Sequence, residues 1–105
     1  MELTVKKVEQ DTTTILSMHG TLDISTSNVV EQYLTDIKGI TMLILDFSNV
    51  SFIDSTGIGA IINAVYISQE RNFKIKLDGV DEFIDQVFET VGLYQIIEAI
   101  QGEVA

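Results

Sequence analysis

Apolar and polar positions change period several times along the chain, and each change marks an element. Val5 and Val8 lie in a short extended opening, Leu3 to Val8, and the polar turn Glu9-Gln10-Asp11 separates it from the β-branched stretch Thr12 to Leu22. That pair predicts a β-hairpin, with Gly20 marking a bulge or a close approach of backbones. Ser25-Thr26-Ser27-Asn28 then offers several N-caps, and Val29, Val30, Tyr33, Leu34 and Ile37 recur at helical spacing. Gly39 is read as the stop of that helix. Met42-Leu43-Ile44-Leu45 is a continuous apolar run of strand length, which predicts a central strand buried on both faces. Asp46 to Ser55 reads as a loop. A second helix carries Ile58, Ile61, Ile62 and Val65 on one stripe. Phe73, Ile75 and Leu77 alternate with Lys74 and Lys76, as in a half-buried strand. A third helix carries Phe83, Ile84, Val87 and Phe88 and is stopped by Gly92; Leu93 to Ile97 reads as a last short strand or turn, and Gln101 to Ala105 as a fraying tail.

The resulting order is ββαβαβα plus a tail. Strand–helix–strand units call for right-handed crossovers and parallel pairing of the later strands. The expectation is an α/β fold: one domain over residues 1–105, a mixed four- to five-stranded sheet, and helices mainly on one face. A mass of 11.6 kDa leaves room for one core only, and 46% apolar residues are enough to build it.

Charge narrows the function. Six Lys and Arg against sixteen Asp and Glu leave a net charge of −10, which repels phosphate backbones and anionic membrane surfaces, so neither nucleic acid nor membrane insertion is expected. No apolar run approaches the ~20 residues of a membrane helix, and Met-Glu-Leu-Thr-Val does not resemble a signal peptide, so a cytoplasmic location is expected. The absence of cysteine excludes disulfides and thiolate chemistry, and a single histidine, His19, excludes multi-imidazole zinc sites. His19 is read as structural or simply exposed. No cofactor or metal is expected.

Chemistry concentrates in the stretch from Asp46 to Ala60, which leaves the central strand and enters the second helix. That end of an α/β sheet is where ligands and partners gather. Asp54, Ser55 and Thr56 stand at the helix start, with Gly57 and Gly59 in its first turns. Each glycine costs about 1 kcal/mol against alanine inside a helix. Two explanations are compatible. Asp54 or Ser55 caps the helix while the glycines allow helix-to-sheet packing, or missing side chains let another protein approach the serine.

Val50-Ser51-Phe52-Ile53-Asp54-Ser55-Thr56-Gly57-Ile58-Gly59 resembles the signature of the STAS domain, specifically the bacterial anti-sigma factor antagonists, whose motif runs Asp-Ser-Ser/Thr-Gly-Leu/Ile-Gly after an apolar strand. Gly20-Thr21-Leu22-Asp23 resembles the family's Gly-x-Leu-Asp, and Val87-Phe88-Glu89-Thr90-Val91-Gly92-Leu93 its third helix and following Gly-Leu. The resemblance implies a cycle. The unmodified antagonist binds an anti-sigma factor that is also a serine kinase of the histidine-kinase-like ATPase fold, which frees a sigma factor. The kinase phosphorylates the serine corresponding to Ser55, the complex separates, and a metal-dependent serine phosphatase reverses the step. Asp23, Asp54, Ser55, Thr56, Gly57, Ile58 and Gly59 are the implied partner-binding residues, with no catalytic residue in this chain. Thr56 is the weaker phosphorylation candidate. Asp46 is read as capping the loop after the central strand, and Phe52 as core.

The chain departs from the family pattern in two places. From Asp78 to Ala105 there is no Lys or Arg but seven acids, so the third helix has an acidic polar face, read as solvated. Ile24-Ser25-Thr26-Ser27-Asn28 is more polar than the Ala-rich version common in relatives. Within the fold, the alternative is a STAS subunit of another partner switch, stress scaffold or transport complex without a sigma factor. A different class would be a small acid-dependent hydrolase using Asp54 and Asp23. An aspartic protease needs Asp-Thr/Ser-Gly without an inserted residue and an all-β fold. Gly57-Ile58-Gly59 lacks the third glycine of a dinucleotide loop, since position 62 is Ile62, and no Walker lysine is present.

Overall fold

The computed structural model describes residues 2–101. The elements are β1 (Leu3–Gln10), β2 (Thr13–Leu22), α1 (Ser27–Asp36), β3 (Met42–Ile53), α2 (Ser55–Arg71), β4 (Lys74–Asp78), α3 (Glu82–Thr90) and α4 (Leu93–Gln101). The four strands form one sheet in the order β1-β2-β3-β4. β1 and β2 pair antiparallel as the expected hairpin, closed at Asp11 with φ 55, while β2–β3 and β3–β4 are parallel. A mixed α/β sheet within one chain is therefore observed, with four strands.

Burial alternates along the strands, and this shows where the helices lie. Leu16 and Met18 of β2, Leu43 and Leu45 of β3, and Ile75 of β4 are buried beneath the helices. Their neighbours Ile15, Ser17, Met42 and Ile44 are only half-buried, and Lys74 and Lys76 are exposed. The apolar run Met42-Leu43-Ile44-Leu45 is thus interior to the sheet but covered on one face, not two. Helical stripes from α1 (Val30, Leu34), α2 (Ile61, Val65), α3 (Ile84, Phe88) and Leu93 of α4 complete the core. Phe88 bridges α3 to the sheet and to α4, meeting the Phe47 and Tyr94 rings edge-on at centroid distances of 5.4 and 6.3 Å. The Tyr94 hydroxyl donates to Asp85 at 2.6 Å, and burial together with that carboxylate raises the phenol's pKa above its usual range, so it stays a donor.

Three further sequence expectations change. The stretch Asp46 to Ser55 is not a loop: β3 continues to Ile53. Register shifts between Ser17 and His19 and between Gly20 and Thr21 change its burial period, so Phe47, Val50 and Ile53 turn inward at intervals of three. The intervening polar residues Ser48, Asn49 and Ser51 lie at the surface. Leu93 to Ile97 belongs to a helix, α4, in which Leu93, Ile96, Ile97 and Ile100 follow helical spacing. The order is therefore ββαβαβαα; α4 reaches Gln101, and the remainder of the expected tail, 102–105, lies outside the described residues. Gly39 does not end α1. The helix stops at Asp36 with Ile37 in extended conformation, and Gly39 turns the chain toward β3. Gly20 meets its expectation: at φ +119 it lies against the Glu2 carbonyl, where a Cβ would collide.

Both flanks of the helical layer are tied down by long side chains. Arg71, in the last turn of α2, donates to the Leu34, Thr35 and Ile37 carbonyls at 3.3, 3.3 and 2.9 Å, satisfying the open end of α1. Gln101 accepts the Ile75 amide on the outer strand β4 at 2.6 Å. Exposed Lys74 and Lys76 further discourage pairing at that edge. Among the described residues no helix is long and apolar enough to cross a membrane. Arg71→Met is expected to lower stability by about 1–2 kcal/mol, because several α1 carbonyls lose their donor. Urea denaturation with an unchanged m-value is the check.

Candidate functional site

The site is built where β2 and β3 end together. Leu22 and Ile53 are register partners, and the Asp54 amide donates to the Leu22 carbonyl at 3.2 Å. Asp54 is the N-cap of α2: one carboxylate oxygen accepts the Gly57 amide at 2.9 Å. The other accepts the Ile24 amide at 3.2 Å. One side chain thereby joins the start of α2 to the turn between β2 and α1. Ser55 and Thr56 open the helix and are both exposed.

The turn itself is organised by Asp23 and Thr26. The Asp23 carboxylate accepts the Ser25 amide at 2.9 Å and the Ser25 hydroxyl at 2.6 Å. The Thr26 hydroxyl donates to the Thr21 carbonyl at 2.8 Å and accepts the Asp23 amide at 2.9 Å. Thr26 is the N-cap residue of α1 by position, yet its side chain makes no capping bond because its hydroxyl is committed to this turn. The Ser25 hydroxyl, with smaller contributions from the Ser25 amide and Thr26, holds the Asp23 carboxyl below the usual aspartate pKa against the opposing effect of burial. Asp46 is similar. The Ser48 hydroxyl and amide lower its pKa, and it receives the Ser17 hydroxyl at 3.3 Å. It performs the expected amide-capping chemistry, though within a continuing strand and not at a loop.

The two glycines have different reasons to be there. Gly57 faces the end of β2: a Cβ there would collide with the Leu22 carbonyl and come within 2.9 Å of the Ile53 side chain. Helix-to-sheet packing therefore explains it. Gly59 is exposed and has nothing within 4 Å of a Cβ position. Packing within the chain gives no account of it, and its missing side chain leaves open surface one turn beyond Ser55.

The residues expected to contact a partner divide accordingly. Asp54, Ser55, Thr56 and Gly59 form one accessible edge. Gly57 and Ile58 are buried against the sheet and position their neighbours without offering contact area. Asp23 is only 8% exposed, and its carboxylate is spent on the turn, so it shapes the edge from beneath. His19 is exposed on β2. Sequence reasoning missed Ile24, which is 77% exposed, and misplaced Phe52, which is 44% exposed and not core. An isolated apolar residue inside a polar turn was the signal available for Ile24.

The STAS domain family model matches residues 4–105. The chain belongs to the STAS domain family. Two curated relatives named anti-sigma-B factor antagonist resemble this STAS domain along their length. That of Listeria monocytogenes serovar 1/2a is 31% identical over 108 residues, spanning 98% of this chain and 95% of the relative. That of Staphylococcus aureus strain NCTC 8325 / PS 47 is 27% identical over 104 residues, spanning 97% and 96%. The structure of the anti-sigma factor antagonist SpoIIAA in its unphosphorylated form shares the fold, with a TM-score of 0.70 at 16% identity over 97% of this chain and 100% of that one.

Two outcomes test the geometry of this STAS domain. Gly57→Ala should destabilise by about 1–3 kcal/mol through overpacking, whereas Gly59→Ala should stabilise by about 1 kcal/mol through helix propensity; thermal unfolding of the two variants should shift in opposite directions. The depressed pKa of Asp23 contributes stability that is present above the unfolded value of 3.8 and lost as pH falls through the lower folded value. Asp23→Asn should therefore flatten the acid limb of a stability–pH curve while lowering stability near neutrality.

Proposed function

We propose that this chain is an anti-sigma factor antagonist switched by phosphorylation of Ser55. Its unmodified form binds an anti-sigma factor and frees a sigma factor; the modified form does not bind. The observation carrying this reading is the exposed Ser55 hydroxyl at the first turn of α2, beside the Asp54 carboxylate and one turn from the open Gly59 surface. It stands within a chain similar over nearly its whole length to proteins named anti-sigma-B factor antagonists.

The kinase in this reading is the anti-sigma factor itself, of the histidine-kinase-like ATPase fold. It holds ATP and the metal. The Ser55 oxygen attacks the γ-phosphorus, the bond to the ADP oxygen breaks, and the serine proton passes to a base on the kinase. The STAS chain supplies the acceptor hydroxyl and performs no catalysis of its own. A metal-dependent serine phosphatase hydrolyses the phosphoserine and resets the cycle in the cytoplasm. Ser55, Asp54, Thr56 and Gly59 form the contact edge, with Asp23, Gly57 and Ile58 supporting it.

The charge arithmetic favours a switch over an unfolding signal. A phosphoserine adds about −1.5 to −2 charges at neutral pH. At a helix N-terminus the macrodipole and free amides offset part of that charge, so the folded chain tolerates it. A docked partner instead has to desolvate the new dianion beside the Asp54 carboxylate. A coupling of roughly 3 kcal/mol shifts affinity about a hundredfold.

Incubation with the cognate anti-sigma factor and ATP should add one phosphate to the wild-type chain and none to Ser55→Ala. Ser55→Asp should weaken binding by about two orders of magnitude with little change in Tm. Phosphoprotein that still binds as tightly as unmodified protein would overturn the proposal.

A further inference from the structure

We propose that Ile24 is the apolar anchor through which the anti-sigma factor docks, and that Asp54 couples its position to the charge on Ser55. This rests on the reading above and adds to it a residue and a route. At 77% exposed, Ile24 is the most exposed large apolar side chain among the described residues. It does not sit on a slack loop. The Asp23 carboxylate fastens the residue after it, Thr26 ties the turn back to the Thr21 carbonyl, and the Ile24 amide itself is held by Asp54. Three polar side chains thus hold in water a residue that gains nothing there. Burying it against a partner would gain about 1.5–3 kcal/mol, or roughly ten- to a hundredfold in affinity.

Its continuity with the switch is covalent on one side and hydrogen-bonded on the other. Asp54 precedes Ser55 directly and accepts the Ile24 amide with its second oxygen at 3.2 Å, a longer bond than the 2.9 Å one that caps α2. A phosphate on Ser55 competes with Asp54 for the open amides of the first helical turn and repels its carboxylate. The longer of the two Asp54 bonds yields first, since losing it leaves the cap intact. The Ile24 turn then loses its tether to α2. Phosphorylation therefore acts twice, by placing a dianion on the contact edge and by loosening the anchor beside it.

The two parts separate experimentally. In the isolated chain, amide hydrogen exchange followed by NMR should show Ile24 exchanging about tenfold faster in Ser55→Asp than in the uncharged Ser55→Asn, with the core amide of Leu16 unchanged in both. Equal Ile24 rates in the two variants overturn the coupling through Asp54. With the cognate anti-sigma factor, Ile24→Ser should weaken binding at least tenfold at unchanged Tm, and Ser55→Asp should cost less on that background than on wild type. Wild-type affinity of Ile24→Ser, with Ser55→Asp still weakening binding, removes the anchor and leaves the phosphorylation switch standing. Failure of Ser55→Asp to weaken binding removes the switch itself, whatever Ile24 does.

Discussion

A single carboxylate with two acceptor oxygens organises the working edge of this domain. Asp54 caps α2 with one and holds the β2–α1 turn with the other. The first amides of α2 have no helical partners, and the Ile24 amide lies beyond the end of the β2 ladder. A helix start and a strand exit that would otherwise be independent thus become one surface. The close seating of α2 on β2 at Gly57 brings the two within reach, so backbone packing and polar capping specify the same geometry.

This arrangement sets how charge acts at the site. The edge already carries Asp54, and beneath it the charge on the Asp23 carboxylate is stabilised by hydrogen bonds from Ser25 and Thr26. Hydrogen bonds to the charged form favour ionisation, so Asp23 remains anionic without an ion pair. A further anion at Ser55 meets the helix dipole on one side and carboxylates on the other. The fold can accommodate it in water, where all these groups are hydrated or bonded. An apposed protein surface cannot do so cheaply unless it brings compensating cations. In the proposed switch, this asymmetry between free and bound states makes one hydroxyl sufficient as a control point.

Much of this was legible in the sequence, for identifiable reasons. The hairpin, α1, α2 and β4 announce themselves because their apolar residues keep one period from end to end. The Asp-Ser-Thr-Gly run after an apolar strand marked the start of α2, where β2 and β3 end together. β3 was cut short because its bulges change the burial interval from two to three, and no single-period template follows that. α4 was missed because nine residues opening directly after Gly92 give little room for a periodic signature, and Ile96-Ile97 mimics a strand. Of the apolar residues that mark α3, Ile84 and Phe88 are buried while Phe83 is 59% exposed. The acids of α3 are also more than solvated: Asp81 caps the helix through the Ile84 amide and Asp85 holds Tyr94. The burial of Asp23 and its bonds to Ser25 and Thr26 were not legible, since sequence alone does not reveal which acid of a turn spends its oxygens inward.

Three departures from what folding alone would select lie at this same edge. Gly59 forgoes helix propensity with no packing in return, Ile24 keeps its side chain in water, and Thr26 gives up a capping bond to fix the turn beneath it. Elsewhere helices bury one stripe, outer strands are blunted and open carbonyls find Arg71, although Phe83 and Tyr66 are also exposed. A chain selected for stability alone would have no reason to concentrate its exceptions on one surface, because each is correctable by a single substitution. Their coincidence around an exposed serine is what the proposed bound state would select, each local sacrifice then being made good when another surface closes over it.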